Sequence, residues 1–227
     1  MSGISNLKIN AGRLHRRLSD LAAIGAIEGG GCARLALSDE DKAGRDLVCG
    51  WMRELGLDLT VDGIGNVVGV RPGRQAGPAV MAGSHIDTVR TGGRFDGNLG
   101  VLAALEVIET LNEAGVETEH PLAAAFFTNE EGARFAPDMM GSLVFTGVLP
   151  LEDVLQTRGI DGSSVGENLA RIGYAGNAPV PAQAPRAYVE LHIEQGPILE
   201  AEGRQIGVVT HGQGLWWLQV TLTGKDA

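Results

Sequence analysis

Cysteine and aromatic residues are scarce in this 227-residue chain, which has 2 Cys, 2 Tyr and 3 Trp and is 4% aromatic. Cys32 and Cys49 are too few for a disulfide framework or a four-cysteine zinc site, so a reducing, cytoplasmic setting is the simplest expectation. Basic residues are also in short supply: 18 Lys+Arg stand against 28 Asp+Glu, a formal net charge of −10. Without a Lys/Arg cluster, the chain does not read as a general binder of nucleic acid or of anionic membrane. No apolar run approaches the roughly 20 residues that span a bilayer, and the first twenty residues lack the apolar segment of a signal peptide.

What is present points to a soluble globular protein. Hydrophobic residues make up 44%, charged residues 20%, and 34 glycines imply many tight turns. The length suits one substantial domain, or one domain and the beginning of another.

Leu14, Leu18 and Leu21 recur at helical spacing after Asn10. A second helix is expected from Ser38 as cap, acidic residues at 39–41, an apolar stripe of Ala43, Leu47, Trp51 and Leu55, and Gly56 as stop. LDLTVD and NVVGVR read as a hairpin, AVMAGSHID and PLAAAFFTNEEG as buried strands, and residues 97–115 between them as a long helix. Strand, helix, strand with polar residues at the strand ends is the pattern of an α/β sheet, whose ligand sites gather at the carboxyl ends of strands. Short helices follow around LEDVLQ and GENLARIG, then a Pro/Ala-rich connection. AYVELHIEQG, IGVVT and LWWLQVTLTGKDA read as strands and PILEAEG as helix-like. Trp216 and Trp217 cannot both face one core from adjacent strand positions, so one is expected to meet another domain or subunit.

Three apolar strands end in metal-ligand residue types: His85 and Asp87, Glu130 and Glu131, His192 and Glu194. Asp96 lies just before the long helix. Imidazole with carboxylate suits zinc, manganese, cobalt or nickel better than calcium. Asp87 shares a strand face with His85 and can accept a hydrogen bond from its second ring nitrogen. Of adjacent Glu130 and Glu131, one can bind metal while the other reaches the bound water.

In its ordered blocks GSHIDTVRTGGRFDGNLGVLAALEVIETL, FTNEEGARFAPDMMGSLVFTG, ELHIEQGPILE and GVVTHGQGLWWLQVTLTGKDA, the chain resembles the M20 metallopeptidase-like amidohydrolases. HIEQGP favours their hydantoinase/carbamoylase branch, the N-carbamoyl-L-amino acid hydrolases, β-ureidopropionases and allantoate amidohydrolases. The resemblance implies that His85 and His192 bind one of two divalent ions, that Asp96 bridges both, that Glu131 binds the second, and that Glu130 is the general base. It also implies that Gln195 contacts substrate, and it calls for no organic cofactor. The expected substrate is a small N-carbamoyl amino acid or ureido acid.

Asn98 and Gly97, directly after Asp96, are expected to shape the site through a tight backbone, with Asn98 as a substrate contact. His211 in THGQG either lines the pocket or solvates a loop. His15 and His120 read as solvated. Arg94 and Arg134 either attract an anionic substrate or pair with carboxylates, and Glu194 either orients His192 or forms a plain salt bridge.

The implied fold is a three-layer α/β zinc-peptidase-like catalytic domain with a mixed central sheet flanked by helices. Residues 1–212 are expected to form most of it, without its C-terminal segment, and 213–227 the first strand of an α+β lid and dimerisation domain. Family members continue with a further histidine, a lid arginine that binds carboxylate and a last metal-binding histidine, and a homodimer is expected of the full-length enzyme. An inactive fragment that serves as a binding or regulatory module is the competing expectation.

Overall fold

The computed structural model describes residues 6–212, 214, 218 and 220–224. The chain divides into two compact units, Met1–Ile193 and Glu194–Ala227. In the first, helices α1 (Ala11–Ala23) and α2 (Asp39–Glu54) precede a hairpin of β1 (Asp58–Val61) and β2 (Val67–Arg71). Then come β3 (Val80–His85), α3 (Asn98–Glu113) and β4 (Leu122–Phe127). Short helices α4 (Met140–Phe145), α5 (Leu151–Leu155) and α6 (Val165–Ile172) lead to β5 (Ala187–Val189).

The five strands form one mixed sheet in the order β1-β2-β4-β3-β5. β2 runs antiparallel to β1 and β4, whereas β3 is parallel to β4 and β5. The β3–α3–β4 crossover therefore brings two strand ends side by side, with His85 level with Phe127. Alternation along β4 divides the core. Ala124 and Phe126 face the main core of α1, α2, α3 and α6, and Ala123 and Ala125 join Met81 and Phe145 on the other face.

Local chemistry explains the helices. Asn10 and Ser38 accept from the backbone N–H of Arg13 and Asp41, and Ser164 with Glu167 closes a capping box at α6. Arg13 and Arg17 on α1 pair with Glu106 and Glu109 on α3, each at 2.7 Å. The apolar stripe expected on α2 is displaced. Its buried face is Asp41, Gly44, Arg45, Val48, Cys49 and Met52, whereas Leu47, Trp51 and Leu55 flank it and Ala43 is exposed. A buried Asp41–Arg45 ion pair (2.8 Å) puts charges on the core side, which the hydrophobic pattern does not register.

The second unit contains α7 (Ile198–Ala201). IGVVT carries no strand, and most of AYVELHIEQG is irregular beyond β5. Trp216 and Trp217 lie outside the described residues, as does much of the final run. Among the described residues no helix is long and apolar enough to cross a membrane.

Candidate metal centre

His85 ends β3 and is 2% exposed. Its Nδ1 lies 2.9 Å from the Asp87 carbonyl oxygen, and His192 Nδ1 lies 2.8 Å from that of Ile193. A carbonyl only accepts, so Nδ1 carries a proton on both rings and Nε2 is the nitrogen left to face a ligand. Those two nitrogens converge on Asp96: His192 Nε2 is 3.0 Å and His85 Nε2 3.8 Å from Asp96 Oδ1. All three donor atoms lie within 4.8 Å of one another. Ligand atoms at ~2.1 Å from a tetrahedral ion stand ~3.4 Å apart, so the observed spacings bracket what one transition-metal ion requires. The donor set suits a divalent metal ion.

Gly97 makes this approach possible. It sits at φ +63°, and a Cβ there would fall 2.4 Å from His85 Nε2. The tight backbone expected at 97–98 is thus found at Gly97. Asn98 does something different from the expected substrate contact. It is 1% exposed, its Oδ1 accepts from Arg34 Nη2 at 2.9 Å, and its Nδ2 donates to the Arg94 carbonyl at 3.3 Å. Its polar atoms face inward because α3 starts against the buried Arg34.

Asp87 departs from expectation in the same way. Its carboxylate stands 3.9 Å from His85 Nδ1 and instead accepts the backbone N–H groups of Glu130 and Glu131, each at 3.2 Å. The parallel β3–β4 neighbours are thereby tied at their carboxyl ends. The ring proton goes to the Asp87 carbonyl, which the chain presents closer than the side chain.

Glu130 Oε2 lies 3.4 Å from His85 Nε2. Burial raises the proton affinity of Glu130; His85 opposes this and Asp87, Asp96 and Glu190 add to it. Glu131 lies outside the three-donor group. Burial first, then Asp96, Asp87 and Glu130 against the opposing charge of His85, pushes it up to about 7. Burial works against a charged His85, but Asp87, Glu130 and Glu131 outweigh it and its pKa rises.

Beside Glu130 opens a cleft of about 330 Å³, whose lining includes Ser84, Phe127, Phe145, Tyr188 and Glu190. Glu190 accepts from Ser84 Oγ at 2.5 Å and from the Tyr188 hydroxyl at 2.9 Å. Sequence reasoning missed Glu190, although it stands two residues before His192, where the strand period signals a shared face. It also missed the support beneath the Glu130 turn. Arg45 reaches the Gly65 carbonyl and Thr128 Oγ1 (2.7 and 3.1 Å), and Asn66 Oδ1 accepts the Thr128 N–H at 2.9 Å.

Arg134 pairs with Asp161 and Asn168, and Arg94 lies over the Phe95 ring. In the second unit, Glu194 accepts the N–H groups of Ile198 and Leu199 at the start of α7, neither of the roles expected for it. Gln195 has a left-handed backbone (φ +53°), and exposed His211 lies with Nδ1 2.9 Å from Thr210 Oγ1.

Comparison with known proteins gives a consistent picture. The N-carbamoyl-L-amino-acid amidohydrolase of Rhizobium meliloti is 50% identical over 98% of this chain, and a ureidoglycolate hydrolase of Arabidopsis thaliana is 35% identical over 91%. These matches span 54% and 45% of those proteins, so the chain covers about half their length. A crystal structure of a hydantoinase/carbamoylase family amidase from Burkholderia ambifaria superposes with a TM-score of 0.85 at 52% identity, covering 87% of this chain and 49% of that one. The model of peptidase family M20/M25/M40 matches residues 81–225, most of the chain, and the protein belongs to that family.

Proposed function

We propose that this chain carries the ion-binding and proton-transfer part of an amidohydrolase that cleaves the ureido group of N-carbamoyl-L-amino acids. The observation that carries the reading is the convergence of His85, Asp96 and His192 with Glu130 at their edge. In this reading His85, Asp96 and His192 would hold one divalent ion, and Asp96 and Glu131 would hold a second. Zinc, manganese, cobalt and nickel all suit nitrogen and oxygen donors, and no organic cofactor is needed. When bound, such ions polarise the scissile carbonyl and make water acidic enough to attack at neutral pH.

Glu130 takes the proton of the attacking water, a role favoured by its raised proton affinity, and returns it to the leaving nitrogen. Addition of water at the ureido carbon releases the free amino acid, carbon dioxide and ammonia. Asp87 holds the Glu130 and Glu131 backbone in place for this transfer. Gln195 contacts the substrate and His211 lines its pocket. Residues 1–212 form the catalytic part, 213–227 begin a lid, and the complete protein is a cytoplasmic homodimer.

The test measures ammonia release by the Mn²⁺-loaded chain, alone and joined to the remaining half of the R. meliloti relative. N-carbamoyl-L-amino acids, β-ureidopropionate, allantoate and ureidoglycolate are offered. Release from the joined protein, fastest with N-carbamoyl-L-amino acids, is expected. A joined protein that binds its ions and turns over none of these overturns the proposal. Preference for one of the other ureido acids moves the substrate assignment to it. Ion binding without turnover by the shorter chain alone assigns it the binding part only.

A further inference from the structure

We infer that Arg34 is a positioning residue for the metal centre, setting the distance between the strand end that carries His85 and the turn that carries Asp96. The inference rests on the metal reading of that centre. Arg34 is fully buried, and each branch of its guanidinium holds a different part of the frame. Nε donates to the Ile86 carbonyl at 2.7 Å, one residue beyond His85, and Nη2 donates to Asn98 Oδ1 at 2.9 Å, two residues beyond Asp96. Nη1 donates to the Leu21 and Ile24 carbonyls at 2.9 and 2.8 Å, where the carbonyls at the end of α1 favour a positive charge.

The backbone of Arg34 joins the same frame. Its N–H donates to Thr88 Oγ1 at 2.8 Å and its carbonyl accepts the Thr88 N–H at 2.9 Å. Between the two anchors lies Gly97, whose backbone rests against the His85 ring. Moving Asn98 therefore moves Gly97, and with it the space that His85 occupies. A planar guanidinium makes these bonds at fixed angles, whereas a lysine ammonium, with three donors at one point, cannot span Ile86 and Asn98 together. Arg34 touches none of the three donor atoms' expected ion directly, and acts through the frame.

Co²⁺ titration of the full chain tests this, because visible absorption reports both affinity and coordination geometry without turnover. The wild type is expected to bind one Co²⁺ tightly. Arg34→Lys is expected to bind at least about tenfold more weakly with an altered spectrum while keeping its far-ultraviolet circular dichroism, in the range of other residues that orient metal ligands. Asn98→Ala, which leaves Arg34 in place and removes its bond to residue 98 along with the longer one to the Arg94 carbonyl, provides the same reading should Arg34→Lys not fold. Unchanged affinity and spectrum in the folded variant, with only a lower Tm, overturns the positioning role. A wild-type chain that takes up no Co²⁺ overturns the metal reading, and the inference falls with it.

Discussion

Glu130 and Asp96 both stand within reach of His85 but are expected to fail differently. Glu130→Gln keeps the shape and removes the base, so in a complete enzyme it should lower kcat by at least about 100-fold. It should leave ion content near that of wild type, as elemental analysis would show. Asp96→Ala removes the donor on which both Nε2 atoms converge, and ion content and activity should fall together. Gly97→Ala is a sharper probe. The new methyl lands on His85 Nε2 and the backbone is held at positive φ, so Co²⁺ binding should be lost. A destabilisation of about 1–3 kcal/mol by thermal or urea unfolding is expected alongside it.

At the scale of elements, α3 shows how close packing places the site. A Cβ at Gly100 would meet the Leu191 carbonyl at 2.7 Å and Ser84 Cβ at 2.9 Å, so the helix start lies against β3 and the segment that leads to His192. Gly100→Val should push that helix end away and cost about 1–3 kcal/mol in urea unfolding. The hairpin, the β3–α3–β4 crossover and the cap at Ser38 were legible in the sequence, because alternation, helical period and capping residues are local signals. The buried face of α2 was not, because Asp41 and Arg45 face the core as a pair and shift the apparent stripe by one position. The site divides along the same line. His85, Glu130 and His192 are visible as polar residues ending apolar runs, and Asp96 as an acid just before the long helix. The partners of Asp87, Asn98 and Arg34 depend on where separate segments meet. The one local sign of Arg34 is a charge inside the apolar run CARLAL.

Over the whole molecule, the burial of carboxylates, added to by their crowding, makes stability depend on pH. Glu131 rises from 4.5 to about 7, so the folded, ion-free chain holds a proton that the unfolded chain releases above about pH 4.5. The stability gained from that proton is complete below 4.5 and is lost as pH rises through 7, and the raised pKa values of Glu130 and His85 act in the same direction. The Tm of the ion-free chain should therefore fall between pH 5 and 7.5. Glu131→Gln should flatten that slope, and an unchanged slope would exclude Glu131 as its source.

β5 is an edge strand that pairs with β3 through only three residues, and the chain then reaches His192, whose ring meets Asp96. An ion shared by His85, Asp96 and His192 would pin the free end of this margin to the middle of the fold, as a rivet holds the last plank of a deck. Protection of residues 187–193 from hydrogen exchange should then rise with added Co²⁺ while the β1–β2 hairpin stays as it was, so the sheet's margin itself would report whether the ion is in place.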